Sequence, residues 1–222
     1  MTDNKDETNE IIGFAGVKER AEDTARIETS NGPSRFIMYV KNYEATVTYV
    51  KNKNLNEVGQ YLFGKDIVEF NPEHPYFPQT TEGRAALRWH EAIHRADKWR
   101  YVSWINAEFL AAIETATVYV NNTVVMMDGK TLIVFESVLE ELKQLTVEDN
   151  IAVQDILSAL RYGKNDGLQW WHRAEYWQSD NTHRPIEVFA NMGTLDLLNG
   201  KGLDVIKRYF PELFNAYRRI VR

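Results

Sequence analysis

The sequence predicts an α+β fold that is mainly helical, with a small β-sheet beside one long helix. From residue 81 onward, apolar residues recur at helical spacing along most of the chain. β-Branched and aromatic residues instead cluster in a few short runs, most of them earlier in the chain, and such runs are typical of strands. Nothing helix-breaking lies between Arg84 and Arg100, so this stretch predicts the long helix.

The composition limits the class of protein. The chain has 222 residues, of which 44% are hydrophobic and 12% aromatic, so it can bury a real core. Residues 1–33 are polar and charged, and we expect a flexible N-terminal segment followed by a single domain over residues 34–222. The net charge of −6 argues against nucleic acid or anionic lipid as the main partner. There is no cysteine, so any metal site must use histidine and carboxylate ligands.

Two further features concern targeting. No apolar run approaches the ~20 residues that a membrane-spanning helix needs. The polar, acidic N-terminus differs from a signal peptide. We therefore expect a cytoplasmic protein without a membrane partner.

Ahead of the long helix, the pattern predicts short elements. Residues 36–40 and 45–50 are β-branched and aromatic, which indicates two strands or one bent ribbon. The spacing of apolar residues over 55–63 predicts a helix that stops at a glycine. Residues 67–70 predict a further strand, and the proline-rich residues 71–78 predict a loop.

Beyond the long helix, Asp128-Gly129 separates two apolar runs and predicts a β-hairpin over residues 124–135. The alternative is that this dipeptide only separates two helices. Thr146 is a candidate N-cap, and Pro211 predicts a kink or break in the last helix. Apolar spacing predicts helices over residues 106–119, 137–144, 147–161, 186–198 and 203–220.

The long helix carries His90-Glu91-Ala92-Ile93-His94, an H-E-x-x-H pattern. Residues four apart lie on one face of a helix, so His90 and His94 can reach a single ion. Glu91 is turned by about 100° around the helix axis and can address a water on that ion. This pattern is typical of zinc peptidases, with two imidazole ligands and a carboxylate as general base. The alternative is an ordinary helix with two chance histidines.

A catalytic zinc ion needs a third protein ligand. Glu187 is the best candidate because it opens an apolar helix after a polar, aromatic segment, although from the pattern alone it could equally serve its own helix N-terminus. Asp97 shares the face of the two histidines, but one straight helix rarely supplies three ligands at ~2 Å. We expect Asp97 to orient a histidine or to cap a neighbouring loop. His74, between two prolines, is expected to be a solvent-facing loop residue.

A hydrolytic site also needs a donor for the oxyanion that develops during the reaction. Residues 166–180 predict an aromatic loop close to Glu187 in sequence, where such a donor could lie. The candidates are Tyr176, His172 and His183. Tryptophans of this segment are expected either in the core or along a cleft; they are Trp170, Trp171 and Trp177.

These residues resemble a known family. His90 to Asp97 resembles the H-E-x-x-H-x-x-D pattern of lethal-factor-like zincins. Downstream segments are more narrowly similar, in the same order over roughly residues 80–220, to the metallopeptidase-like domain of minor head proteins from phages and prophages of Gram-positive bacteria. These segments are Gln154–Leu160, Trp171–Trp177, Pro185–Ala190 and Tyr209–Leu213.

The resemblance implies a zincin-like fold with a gluzincin-like ligand set: His90, His94 and Glu187 on Zn²⁺, with Glu91 as the base. The chain departs from the family at Ile93, where glycine is common, and a bulky side chain must pack there. Zincins usually present an edge strand to which the substrate adds as a further strand, and the 124–135 hairpin is a candidate.

The sequence therefore predicts a zinc metallopeptidase acting on a protein or peptide substrate. The oxyanion donor would be Tyr176 or His172. The resemblance implies a phage association, hence a bacterial cytoplasmic or virion-associated location and phage structural proteins as further partners. The alternative is a non-catalytic minor head protein with a structural metal site, and a weaker one is an effector that attacks a host protein.

Overall fold

The computed structural model describes residues 34–127, 129–164, 167–169 and 172–222. The predicted N-terminal segment, residues 1–33, lies outside them, as do Trp170 and Trp171. The described part has the predicted α+β, mainly helical fold. Its helices are α1 Ser34–Thr46, α2 Thr81–Ala96, α3 Ala107–Asn122, α4 Val134–Leu142, α5 Val147–Leu160, α6 Ala174–Ser179, α7 His183–Leu198, α8 Lys201–Tyr209 and α9 Pro211–Val221. Its strands are β1 Thr48–Lys51, β2 Gly59–Leu62, β3 Ile67–Phe70, β4 Val124–Met127 and β5 Lys130–Ile133.

The strands form two small sheets. In the first, β3 lies in the centre, parallel to β1 and antiparallel to β2. The β2 strand forms one edge of this sheet and packs against α2, which confirms the prediction of a sheet beside the long helix. The second sheet is the antiparallel pair β4–β5, which packs against α3 and α4.

The α7 helix lies in the middle of the helical part. Every residue from 184 to 197 is buried, so α7 is covered on all sides rather than along one stripe. The α2 and α5 helices pack directly against it. Most of the buried apolar residues of the described part belong to one main core that all three helices share. None of the described helices has the length and apolar character needed to cross a membrane.

The approach of α2 to α7 depends on a glycine. A Cβ atom at Gly193 would lie 2.8 Å from Ile93 Cδ1 and 2.8 Å from a ring carbon of Phe36, closer than side chains tolerate. The bulky Ile93 is therefore accommodated by a glycine on the partner helix.

Two sequence predictions at the start of the domain are wrong. Residues 36–40 belong to α1 and not to a strand. Phe36 and Val40 are four residues apart and fully buried, so the helix places both on its core-facing side. This packing outweighs the β-propensity of the segment. The predicted strand over 45–50 begins only at Thr48, because α1 extends to Thr46.

The predicted helix over residues 55–63 is also wrong, since residues 59–62 form β2. The apolar spacing there fits a helix, but the segment contains Gly59, which weakens a helix. Pairing with β3 and burial of the Tyr61 side chain stabilise the strand instead.

The other predicted elements are confirmed with small shifts. The 67–70 strand, the 71–78 loop and the helices downstream are present. The hairpin is present over residues 124–133, with Gly129 in its turn at φ +74°, and residues 134 and 135 begin α4. Thr146 caps α5, and the chain breaks before Pro211 into α8 and α9. The predicted aromatic loop over 166–180 contains the short helix α6.

We expect Gly193→Ala to lower the free energy of unfolding by about 1–3 kcal/mol, because the new methyl group has no room beside Ile93. Alanine is intrinsically favoured over glycine in helices by about 1 kcal/mol. A loss of stability in Gly193→Ala would therefore have to come from crowding. Urea denaturation of both proteins measures the difference.

Gly64→Ala is the matched control, because a Cβ atom at Gly64 meets nothing within 4 Å. In the background of Ile93→Ala, the cost of Gly193→Ala should become smaller, and the contact with Phe36 should account for the cost that is left. A Gly193→Ala protein more stable than the wild type would contradict the close packing of α2 and α7.

Candidate metal centre

The α2 helix begins with a defined cap and presents its two histidines on one face. The Thr80 side chain accepts a hydrogen bond from the backbone N–H of Gly83, and Glu82 lies in the first turn where the helix dipole favours an acid. Four residues separate His90 from His94, so their imidazoles lie one above the other. His94 is buried, and the His90 side chain retains 19% of its exposure, so the pair lies at the border of the core.

Glu187, on α7, completes a group of three potential metal ligands. His90 Nε2 and His94 Nε2 are 2.9 Å apart. Glu187 Oε2 lies 3.3 Å from the first of these atoms and 3.4 Å from the second. Of the His, Asp and Glu side chains in the described part, these three alone form such a cluster. The structure thus brings together the predicted ligands His90, His94 and Glu187.

The three distances suit a tetrahedral ion. Ligand atoms about 2.0–2.1 Å from a zinc ion are separated by about 3.3 Å when the coordination is tetrahedral. The two distances to Glu187 match this spacing, and the two nitrogens are slightly closer. Glu187 Oε2 is buried without a well-oriented hydrogen-bond donor among the described residues. A buried carboxylate oxygen facing two imidazole nitrogens fits a shared cation.

The charge state of Glu187 also suits a ligand. Burial opposes its ionisation, but His94 and His90 outweigh burial and hold the pKa of the carboxyl well below its usual range. Tyr176 stabilises the same carboxylate, because its hydroxyl donates to Glu187 Oε1 at 2.5 Å. An ionised carboxylate is the form that binds a metal ion.

Glu91 lies beside the group in a different electrostatic environment. Burial raises the pKa of its carboxyl to about 7, and the charge of Glu187 acts in the same direction. His90 and a hydrogen bond from the backbone of Tyr61 oppose the shift. Glu91 Oε2 is buried without a hydrogen-bond partner in the described part of the chain. A carboxyl group with a pKa near neutrality can accept and return protons at physiological pH.

Glu91 lies directly against the edge strand β2. A Cβ atom at Gly59 would lie 3.4 Å from Glu91 Oε1. Val58 O accepts a hydrogen bond from Asn71 N–H of the neighbouring chain segment. In an antiparallel pair, only every second residue directs its backbone N–H and C=O groups at the partner strand. Gly59 and Tyr61 therefore direct their backbone N–H groups away from β3, toward the side on which Glu91 lies. The hairpin that was named as a candidate substrate strand packs elsewhere, against α3 and α4.

Tyr176 is held between two imidazole rings. The His172 ring stacks on it with centroids 4.1 Å apart and an interplanar angle of 21°, and the His183 ring stacks at 4.3 Å and 10°. His183 Nδ1–H also donates to Tyr176 O at 2.8 Å, which fixes His183 to α6. Burial and the charge of Glu187 raise the pKa of Tyr176, so its hydroxyl stays protonated as a donor. All three predicted oxyanion-donor candidates therefore lie in one stack beside Glu187.

Two residues that sequence reasoning missed connect this stack to the core. Asp155 Oδ1 lies 2.8 Å from His172 Nδ1, and Asp155 Oδ2 accepts a hydrogen bond from Asn191 Nδ2 at 2.8 Å. Asn191 Nδ2 also donates to the Glu187 carbonyl at 3.0 Å. The sequence did contain a signal for them, because each is a polar residue in the middle of an apolar helix. A buried polar group needs a hydrogen-bond partner.

Asp97 caps a loop, one of the two roles expected for it. Its carboxylate accepts hydrogen bonds from Ser103 N at 2.8 Å and from Ser103 Oγ at 2.6 Å. Burial raises the pKa of this carboxyl to about 6, although Ser103 and His94 oppose the shift. His94 Nδ1 has no hydrogen-bond partner among the described residues, so the expected link from Asp97 to a histidine is not seen.

Two other predicted residues lie away from the metal group or inside the core. His74 is in the 71–78 loop, as expected, and its Nδ1 accepts a hydrogen bond from Tyr76 N–H. Trp177 is buried, and its indole N–H is shared between Ser158 Oγ and His172 O. Trp177 therefore anchors the segment that carries His172 and does not line a cleft.

Comparisons of the chain with protein-family models, with curated proteins and with solved structures found no match. The functional proposal therefore depends on the chemistry of the site. That site combines three ligands suited to a borderline metal ion, an acid with a pKa near 7, and two partly buried donors beside them. Such a combination suits metal-assisted hydrolysis.

We expect the purified protein to bind one equivalent of Zn²⁺ through this group. Mutating a residue that only orients a zinc ligand typically lowers the affinity 10–100-fold. Loss of a ligand itself, in His94→Ala or Glu187→Ala, should therefore lower the affinity by more than about 100-fold. Competition titration with a chromogenic chelator measures the dissociation constants. His74→Ala is the control, because it removes a histidine outside the group and should leave the affinity unchanged. Equal affinities in all four proteins would contradict the assignment.

Proposed function

We propose that the protein is a zinc-dependent metallopeptidase that hydrolyses peptide bonds with a metal-activated water. The observation that carries the proposal is the meeting of His90, His94 and Glu187 from two helices, with Glu91 one residue after the first histidine. The pKa of Glu91, raised to about 7 by burial, suits a general base. The resemblance to lethal-factor-like zincins and to phage minor head proteins supports the same reaction.

The number of protein ligands favours catalysis over a structural metal. Structural zinc sites are closed by four protein ligands, whereas catalytic sites use three and keep one position for water or substrate. In the described part of the chain the cluster has three members. Two imidazoles and one carboxylate are ligands that zinc commonly takes in hydrolases. A non-catalytic head protein with a structural metal remains the alternative, and it predicts a fourth protein ligand.

The protein side of the reaction follows from the positions of the side chains. When bound, zinc acidifies a water molecule and polarises a carbonyl oxygen. Glu91 accepts the proton of the attacking water on its carboxylate and later passes it to the leaving amine. The Tyr176 hydroxyl donates to Glu187 Oε1, which leaves Glu187 Oε2 directed at the two histidines. Tyr176 and His172 are the candidate donors to the oxyanion.

The edge strand β2 offers the substrate a place to bind. The backbone N–H of Gly59 faces away from β3, and the backbone N–H of Tyr61 already donates to Glu91. An extended peptide can therefore add to β2 at Gly59, beside the proposed base. The turn between β2 and β3 is clamped to α2, because Arg95 makes a two-pronged ion pair with Asp66 at 2.9 and 2.8 Å. The Tyr61 hydroxyl donates to the same carboxylate. β2 is thereby held in register with Glu91.

The substrate class is a protein or peptide in extended conformation. The resemblance to minor head proteins suggests that the chain itself is a phage or prophage component. Structural proteins of the phage are the partners, and the bacterial cytoplasm or the virion is the location, that this resemblance suggests.

We expect Glu91→Gln to abolish cleavage while zinc binding is retained, since the amide cannot accept the proton of the water. General-base removal should cost about 10²–10⁴-fold in rate. The zinc-loaded proteins are incubated with casein and with a proteome-derived peptide library, and mass spectrometry identifies the products. Glu82→Gln, an exposed change on the same helix, is the control and should cleave normally. Equal cleavage by Glu91→Gln and wild type would contradict the peptidase proposal. No cleavage by the wild type would favour the structural alternative.

We also expect N-methylation of a cleaved peptide to show a period of two. An added strand pairs through every second backbone N–H group, so methylation at alternate positions should raise KM and the positions between should have little effect. A series of singly N-methylated versions of the best-cleaved peptide measures this. A series in which every position has the same effect would argue against binding along β2.

A further inference from the structure

A chain of buried polar groups runs from His172 to the carbonyl of Glu187. Asp155 connects to His172 Nδ1 with one carboxylate oxygen and to Asn191 with the other. Asn191 then bonds the Glu187 carbonyl. Asp155, Asn191 and Glu187 are all buried. Neither Asp155 nor Asn191 is needed to supply a metal ligand, so the network calls for a separate explanation.

Burial of the Asp155 carboxylate costs free energy unless a cationic partner balances its charge. A buried carboxylate costs several kcal/mol of desolvation, which hydrogen bonds and a cationic partner must offset. Asn191 is neutral, so His172 is the one cationic partner that faces Asp155 in the described contacts. The network therefore favours a protonated His172 as well as a fixed ring orientation.

His172 is partly exposed and lies beside the candidate site. Its side chain is 32% exposed, unlike the buried residues that hold it. One face of its ring stacks on Tyr176, whose hydroxyl bonds Glu187. Burial alone would lower the pKa of His172, but the charges of Asp155, Glu187 and Glu57 and the hydrogen bond to Asp155 raise it to about 9. The charge of His172 in turn acts on both carboxylates of the site, lowering the pKa of Glu91 and of Glu187.

We propose that Asp155 is a positioning residue, which holds His172 by Nδ1, with Asn191 fixing the carboxylate, so that His172 Nε2–H is the donor to the oxyanion of the substrate. The inference rests on the peptidase function proposed above. It assigns the donor role to His172 because the Tyr176 hydroxyl already donates to Glu187 Oε1. No bond to His172 forms or breaks in this step, since the imidazolium keeps both protons and only stabilises developing negative charge.

The first experiment reads the state of His172 without using activity. The chain has five histidines, so their ring resonances can be followed by NMR in the zinc-loaded protein, with His172→Gln giving the assignment. We expect the pKa of His172 to lie above its ordinary value in the wild type, because of the charge of Asp155, and to be at least one unit lower in Asp155→Asn. Asp196→Asn is the matched control, because Asp196 is a buried carboxylate on α7 bonded to Tyr217 and Arg218. A His172 pKa near 6.5 in the wild type, or one unchanged in Asp155→Asn, overturns the proposal.

The second experiment separates positioning from folding. On the library peptide that the wild type cleaves best, Asp155→Asn and His172→Gln should each lower kcat by about 10²–10³-fold, the usual loss for one oxyanion donor. KM should change little, and the double variant should be no worse than His172→Gln, because both changes remove one interaction. Asp196→Asn should lower thermal stability and leave kcat unchanged.

The outcomes distinguish this inference from the proposed function. If Glu91→Gln is inactive while His172→Gln keeps full kcat, the peptidase proposal stands and the role of His172 is wrong. If His172→Gln lowers kcat but Asp155→Asn does not, positioning by Asp155 is wrong. If Glu91→Gln cleaves as fast as the wild type, the peptidase proposal itself fails. The His172→Gln variant, at a partly exposed residue, keeps the test decisive even if Asp155→Asn does not fold.

Discussion

The close packing of α2 against α7 is the constraint on which the candidate site depends. The two histidines come from α2 and Glu187 comes from α7, so the three ligand atoms meet only when the helix axes approach closely. Gly193 permits that approach, because a methyl group there would collide with Ile93. Glycine is unfavourable inside a helix by about 1 kcal/mol relative to alanine. The chain therefore accepts a local cost in α7, and three potential ligands from two helices come close together.

The same packing concentrates ionisable groups in the core. Its buried carboxylates differ in how completely they are hydrogen-bonded, and this difference distinguishes their roles. Asp97 and Asp155 have complete hydrogen-bond partners within the protein. Glu187 and Glu91 each leave one buried oxygen without such a partner in the described residues. A saturated carboxylate stabilises the structure around it, whereas an unsaturated one retains capacity for an ion, a water or a substrate. Glu187 and Glu91 are the residues to which the proposed mechanism gives a ligand and a base. Asp149, in the first turn of α5, also leaves one buried oxygen without a partner among the described residues and has no part in that mechanism. Binding of the proposed zinc ion would offset the cost of burying Glu187 and would couple metal binding to folding.

How much of this was predictable differs between the fold and the site. Apolar patterns predicted α2, α3, α5 and α7, although α7 is buried on all sides and not along one stripe. Local patterns failed where tertiary packing or strand pairing overrides them, at residues 36–40 and 59–62. His90 and His94 follow from spacing alone, since they share a helix, and the resemblance raised Glu187 from one of two readings to the expected ligand. Asp155 could not be assigned a partner, because its contacts cross between α5, α7 and a loop and leave no fixed spacing in the sequence.

The sheet is small, but its position gives it a precise function in the proposed mechanism. Peptide hydrolysis requires the base and the scissile carbonyl to be held in register, because small displacements are costly in rate. Here the α2 helix fixes both sides of that register. It carries Glu91, and through Arg95 it clamps Asp66 in the turn that ends β2. Tyr61 links the two, with its hydroxyl on Asp66 and its backbone N–H on Glu91. A substrate added to β2 would therefore be aligned by the same helix that holds the metal ligands, which explains why so short a strand can suffice.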